Sequence, residues 1–229
     1  MSLARRLLLA ATVMLAPLAG LAGIPDYFRE AVSRFHPEAP KGWAYTLTTT
    51  RSHETSSERF DPSRPKGGEW TLLALNGREP TAPERESYLR YKKSNAPATA
   101  RATFERGDLA IESAELLRED AERAVFRVRF RDDAGQPLLA HVVLELTVRK
   151  EPASVERSVL RLFEAFSPAL GVRMQELVVT TTHRPPEPGR PSLPQEVTSR
   201  FRGRMFFLVG IEEDLRVAYS DFARVSPER

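Results

Sequence analysis

The chain has 229 residues, 34 of them basic and 31 acidic, for a net charge of +3, and it contains no cysteine. The lack of cysteine excludes disulfides, thiol catalysis, cysteine-ligated metals and a lipid anchor carried on an N-terminal cysteine. Basic and acidic residues are interleaved along most of the chain, whereas nucleic-acid binding requires a clustered basic stripe. We therefore expect a solvated surface of mixed charge and no nucleic-acid partner.

The first 22 residues have the three-part layout of a secretory signal peptide. Arg5 and Arg6 precede an apolar run over residues 7–19, and the small residues Gly20, Ala22 and Gly23 follow it. We expect cleavage after Ala22, with cleavage after Ala19 as the alternative. The apolar run is shorter than a comfortable membrane span, so an uncleaved anchor is the weaker interpretation. The sequence thus predicts export to the periplasm, with residues 23–229 as the mature chain and no integral membrane span within it.

Two helices are predicted in the N-terminal half of the mature chain. Residues 25–35 carry apolar residues at helical spacings of four and three, beginning at Phe28. The second predicted helix covers residues 82–93. Thr81 is its N-cap, and Glu84, three residues later, completes a capping box. Small residues over 94–101 then predict a loop.

The rest of the chain has the pattern of short β-strands joined by tight turns. Apolar and polar residues alternate, most clearly over residues 123–131, and this period of two indicates strands with one buried face. Short connections require antiparallel neighbours, so most of the sheet is expected to be a meander. About ten strands are predicted, at residues 43–51, 54–60, 69–75, 109–117, 123–131, 138–149, 155–166, 171–182, 196–209 and 215–225.

A proline-rich segment over residues 184–194 is either a linker between domains or a stiff surface loop. Only about 35 residues follow it, enough for one hairpin, and an isolated hairpin is marginally stable in water. We therefore predict that the last strands rejoin the main sheet and that residues 23–229 form a single domain.

The predicted fold class is α+β, mainly β. A long antiparallel meander with one apolar face either closes into a barrel or covers that face with helices, and two helices are at hand. We predict a curved antiparallel sheet, a half-barrel, with helices over its concave face. This order of elements resembles the LolA-like superfamily of bacterial envelope proteins, which includes periplasmic lipoprotein carriers and the sensor domain of MucB/RseB regulators. The similar segments are 154–167, 171–182 and 215–225 (LRVAYSDFARV), whereas 59–86 is not part of the carrier pattern.

The resemblance implies a periplasmic binding protein for a lipid, an acyl chain or a lipoprotein. The alternative that it implies is an envelope-stress sensor, or a domain that contacts another envelope protein without a bound lipid. Under the first interpretation, apolar residues of the concave face line the ligand; under the plainer one, they form ordinary core. The candidate lining residues are Phe126, Val128, Phe130, Leu144, Leu146 and Trp70.

Catalytic and metal-binding patterns are weak in this sequence. His36, His53, His141 and His183 lie far apart without the close spacing of metal ligands. No nucleophile elbow of the G-x-S-x-G type occurs. We therefore predict no catalytic residue, no metal and no cofactor, and a protein that is not an enzyme.

Overall fold

The computed structural model describes residues 23–94, 104–206 and 209–225. The predicted signal peptide over 1–22 lies outside these ranges, as does most of the loop predicted at 94–101. One antiparallel sheet of 11 strands dominates the described residues, and two α-helices accompany it, α1 (Asp26–Ser33) and α2 (Ala82–Ser94). Those ranges contain no helix that is both long enough and apolar enough to cross a membrane.

The sheet is open and is not closed into a barrel. Its strands follow the order β3-β2-β1-β11-β10-β9-β7-β6-β5-β4, and β8 pairs with β9 beyond the end of β7. The predicted class, mainly β with an antiparallel sheet and two helices, is confirmed, with 11 strands in place of about ten. The strands are β1 (Trp43–Arg51), β2 (Glu54–Phe60), β3 (Trp70–Leu75), β4 (Leu109–Glu119), β5 (Arg123–Phe130), β6 (Val142–Arg149), β7 (Ser154–Leu162), β8 (Phe166–Ala169), β9 (Val172–Arg184), β10 (Leu193–Met205) and β11 (Val209–Arg224).

The first and last strands meet in the middle of the sheet. β1 pairs antiparallel with β11, with Leu47 opposite Tyr219 and Thr49 opposite Val217. The predicted meander therefore holds separately on each side of this seam. The chain passes from one edge strand, β3, to the other edge strand, β4, by way of α2 and residues 95–108.

The main core lies between α1 and strands β5–β7. Alternation along β6 buries Val142, Leu144, Leu146 and Val148 on one face of the sheet. Phe28 of α1 is fully buried against this face. Its ring centroid lies 4.2 Å from that of Phe126. The predicted apolar face of the first helix is thus the surface that packs on the sheet.

Most strands differ from their predicted limits by one or more residues, and the strands predicted at 138–149 and 155–166 are shorter than expected. The start of the strand predicted at 138–149 is a 3₁₀ turn, Pro137–His141, because proline at the first position favours a helical turn over a ladder. The strand predicted at 155–166 ends at Leu162. The break expected at Ser167-Pro168 is wrong, since both residues lie in β8.

The turn expected between the last two strands is also displaced. It was predicted between residues 209 and 215, but β10 ends at Met205 and β11 begins at Val209. The acidic residues of the expected turn instead pair with arginines across the ladder. The Arg202 guanidinium lies 2.5 Å from Glu212, and Arg200 lies 3.5 Å from Asp214.

The proline-rich segment connects two neighbouring strands of the same sheet. β9 runs to Arg184 and β10 starts at Leu193, and the two strands pair from Leu193 onward. The segment between them is therefore a surface connection, as predicted, and the strands that follow it rejoin the main sheet.

Candidate ligand-binding face

Both helices lie on the same face of the sheet, and the strand register establishes this. Residues that are directly opposite each other on neighbouring strands share a face. One such row crosses eight strands from β5 to β2, namely Phe126, Leu146, Ser158, Thr181, Val197, Val217, Thr49 and Ser56. Phe126 contacts α1, and Glu58, two residues beyond Ser56, contacts α2. We call this side of the sheet the helix face and the other side the outer face.

Five of the six predicted lining residues lie together beneath α1. Phe126, Val128, Phe130, Leu144 and Leu146 all belong to the core cluster that contains Phe28 and Val32. Their side chains are almost completely buried, so α1 and its neighbours fill the space above them. A ligand can reach these five residues only if α1 moves, and their lining role stays a prediction.

A buried histidine lies at the end of α1. His183 of β9 packs edge-on against the Phe35 ring, at a centroid distance of 5.3 Å. Neither ring nitrogen has a hydrogen-bond partner among the described residues. Burial lowers the pKa of His183 to about 4, and the backbone of His36 offsets part of the shift without reaching hydrogen-bond geometry. His183 is thus neutral at ordinary pH, a polar group in an apolar contact.

The sixth predicted residue, Trp70, lies at the other end of the helix face. It belongs to an aromatic cluster centred on Tyr45 of β1, whose ring is 5.1 Å from Phe60 and 6.2 Å from Trp70. Tyr219 and Phe222 of β11 complete this cluster on the side nearer the centre of the sheet. Trp70 is half-buried there, separated from the other five predicted residues by the central strands.

Polar contacts attach α2 to this aromatic end. No residue of α2 is fully buried, but Tyr88 and Lys92 are half-buried. The Lys92 ammonium lies 2.7 Å from the Glu58 carboxylate and 4.0 Å from the centre of the Trp70 ring. The Tyr88 hydroxyl also donates to Glu58, which is itself 9% exposed. Burial, together with the Glu58 carboxylate, raises the pKa of Tyr88. The carboxylate of Glu58 is therefore the main anchor of the helix.

Between the two helices the helix face is half-buried. We call this part the central strip; it consists of Thr49, Val179, Val197, Ser199, Leu215 and Val217. These residues alternate with exposed ones such as Thr198 and Arg216, which point to the outer face. The sequence shows this alternation in β10 and β11, but only the register of four strands shows that the six residues are neighbours. They were not among the predicted lining residues for that reason.

The outer face carries an open depression of about 620 Å³. Most of its lining residues are polar, with arginines and threonines from five strands, among them Arg157, Arg161, Thr180 and Thr198. Such a surface suits water and anions. An acyl chain that covered it would remove water from the arginine side chains and could offer them no hydrogen bonds in exchange. Among the described residues, no group of three or more histidines and acids is placed to hold a metal ion.

No family model and no curated protein matches the chain. Among solved structures, the chain is similar to the crystal structure of a LolA superfamily protein from Nitrosomonas europaea. The two share 10% sequence identity, the match covers 89% of this chain and 93% of that one, and the TM-score is 0.40. A similarity of this size transfers no site, ligand or activity to this chain.

Proposed function

We propose that the protein binds the acyl chain of a lipid or of a lipidated protein on the helix face of its sheet. One observation carries the proposal: two helices cover the ends of a single sheet face and leave an apolar strip half-buried between them. Val197 and Val217, directly opposite each other, form the centre of that strip. An extended acyl chain would remove their exposed apolar surface from water, which is worth about 25 cal/mol per Å².

The two helices have different parts in this proposal. α1 is fixed by a filled apolar core, so its displacement would expose Phe28 and its partners. α2 has no fully buried side chain and depends on Glu58, Lys92 and Tyr88. Water can replace polar contacts at a small net cost, in contrast to apolar ones. We infer that α2 is the cover that moves when the ligand enters.

The proposal places the protein in the periplasm, after removal of residues 1–22, as a binding protein and not an enzyme. In support, the central strip presents only aliphatic side chains and the hydroxyls of Thr49 and Ser199. These groups suit contact with an acyl chain and hydrogen bonds to an ester or carboxyl end. The partner is accordingly a lipid or a lipidated envelope protein.

Mass spectrometry of an organic extract tests the proposal. The protein is purified without detergent from the periplasm of a bacterial host, and a phospholipid or fatty acid in stoichiometric amount is expected. Val197→Asp should abolish this lipid because it places a charge in the strip. Thr198→Asp is the matched control, since it adds the same charge one residue away on the outer face.

The result can contradict the proposal in two ways. A clean extract, repeated after incubation with lipid vesicles, would leave a filled sheet-and-helix core that acts by contact with another protein. Equal lipid in the two aspartate variants would show that the ligand lies elsewhere than on the central strip.

A further inference from the structure

One end of the sheet is apolar and faces solvent. There a single row crosses four strands, with Ala169, Val172, Met205 and Val209 directly opposite one another. Beyond this row lie the β8–β9 turn and the described part of the β10–β11 turn. The most exposed residues are Leu170 at 101%, Phe206 at 67% and Val209 at 60%. We call these three residues and Met205 the apolar tip.

Direct contacts hold the two turns of the tip together. The backbone N–H of Phe206 donates to the carbonyl of Gly171. The Phe206 ring lies over Gly171, so close that a Cβ added to this glycine would come within 2.9 Å of it. The two turns therefore form one unit that exposes apolar side chains. Turns that face water usually carry polar residues instead.

Immediately behind the tip, two arginines face each other. Arg173 of β9 is directly opposite Arg204 of β10, one position from the row that contains Met205. Both are exposed, and within the described ranges neither has an acidic partner. Like charges in this position destabilise a strand pair.

A second arginine pair in the same sheet shows how such repulsion is normally relieved. Arg123 and Arg149 are also directly opposite, across β5 and β6. The Glu156 carboxylate lies between them, 2.8 Å from Nε of Arg123 and 2.6 Å from Nε of Arg149. The pair behind the apolar tip has no such acid among the described residues, so an anion that bridges it would come from outside the described chain.

We propose that this end of the sheet docks on an anionic membrane surface, with the apolar tip in the acyl boundary and Arg173 and Arg204 on lipid phosphates. The spacing fits, because one strand residue spans about 3.3 Å and places the guanidinium groups at the level of the head groups. Apolar groups at the acyl boundary and cations at the phosphates are the two attractions that hold peripheral proteins on membranes. The proposal does not depend on an acyl ligand bound between the helices.

Vesicle flotation tests this docking. The wild-type protein should float with vesicles of phosphatidylcholine and phosphatidylglycerol, less so with phosphatidylcholine alone, and less at high salt. Leu170→Glu should lower the partition coefficient at least about tenfold, because it replaces an inserted apolar group with a charge. Arg173→Gln with Arg204→Gln should lower it about tenfold and remove most of the salt dependence.

Matched variants control for the general effects of charge and hydrophobicity. Leu73→Glu makes the same change at another exposed leucine, on edge strand β3. Arg118→Gln with Arg129→Gln removes two other exposed arginines that have no acidic partner among the described residues. Both controls should float like the wild type. The intact mass of each preparation shows whether residues 1–22 have been removed. This control is needed because an uncleaved apolar leader would itself bind vesicles.

The absence of cysteine allows a direct measurement of insertion. A dye on Leu170→Cys should shift to the blue on addition of anionic vesicles, whereas a dye on Leu73→Cys should not. A wild type that does not float, or a Leu170→Glu variant that floats equally well, would overturn the proposal. A blue shift without vesicles that disappears on dilution would also overturn it, because the tip would then bind a second copy of the chain.

The two proposals fail separately. Leu170→Glu should keep its extracted lipid while it loses flotation, and Val197→Asp should lose the lipid while it still floats.

Discussion

The Lys92 ammonium on α2 lies 2.7 Å from the Glu58 carboxylate on β2, and this pair is the main attachment of a helix that has no fully buried side chain. Glu58→Gln should therefore detach α2 while the sheet stays folded. Loss of a hydrogen bond between charged groups corresponds to about 2 kcal/mol. In the variant, the α2 amides should exchange their hydrogens faster than in the wild type, whereas the exchange rates of the β5 and β6 amides should stay the same. Glu86→Gln, which removes an exposed partner 4.0 Å from Arg90, is the control and should leave α2 protected. Equal exchange in both variants would contradict the anchoring role of Glu58.

His183 should make the stability of the protein fall in mild acid. Burial lowers its pKa in the folded state from 6.5 to about 4, so the unfolded chain binds the proton more readily. The contribution of the neutral ring is complete above pH 6.5 and is lost as the pH falls from 6.5 to 4. The expected loss of unfolding free energy is about 3 kcal/mol. Urea titrations of wild type and His183→Leu should diverge through this window, since the variant lacks the titrating group. Parallel pH profiles would show that His183 does not titrate in this way.

Phe28 should contribute more than any other residue of α1 to the packing of this helix on the sheet. Its ring is fully buried and 4.2 Å from Phe126, so Phe28→Ala should lower the free energy of unfolding by about 3–5 kcal/mol. Glu30→Ala on the exposed side of the same helix should change it by less than about 0.5 kcal/mol. Denaturant unfolding measures both. A small effect of Phe28→Ala would mean that α1 is as loosely held as α2, and would reopen the space beneath it to a ligand.

A side chain at Gly171 should destabilise the protein, because of the backbone angle of this residue and because of Phe206. The φ of Gly171 is +79°, and an added Cβ would meet the Phe206 ring at 2.9 Å. Gly189 has a similar φ of +74° with nothing within 4 Å, so it isolates the backbone effect. Gly189→Ala should cost about 1 kcal/mol, and Gly171→Ala about 1–3 kcal/mol more. Thermal unfolding of the two variants gives the difference. Equal losses would show that the ring moves aside freely.

Local patterns predicted most of the strands well. β1 and β2 have the predicted limits, since β1 is rich in threonines and aromatics and a tight turn at Ser52 leads directly into β2. The capping contact of α2 also forms, with the Thr81 N–H 2.7 Å from the Glu84 carboxylate. These features depend on contacts between residues close in sequence, and local sequence patterns contain both partners of such contacts.

Pairings between distant segments could not be predicted in this way. The acidic residues Glu212 and Asp214 favour a turn in the sequence pattern. In the structure they lie in β11, opposite Arg202 and Arg200 of β10. Five of the six candidate lining residues lie together, because alternation alone places neighbours of β5 and β6 on one face, and their lining role stays a prediction. Their burial beneath α1, and the exposure of the central strip, follow from tertiary contacts that the sequence pattern does not contain.

The seam between β1 and β11 has a consequence for the order in which the molecule can be built. Synthesis makes β1 early and β11 last, so until the final strand is available the chain holds two incomplete sheets, each with an unpaired edge. Exposed edges of this kind pair readily with other chains, and pairing between distant segments is slow. The nascent protein therefore passes through a stage vulnerable to aggregation, and a holdase that shields β1 and β10 until β11 has been synthesised would raise the yield of native molecules.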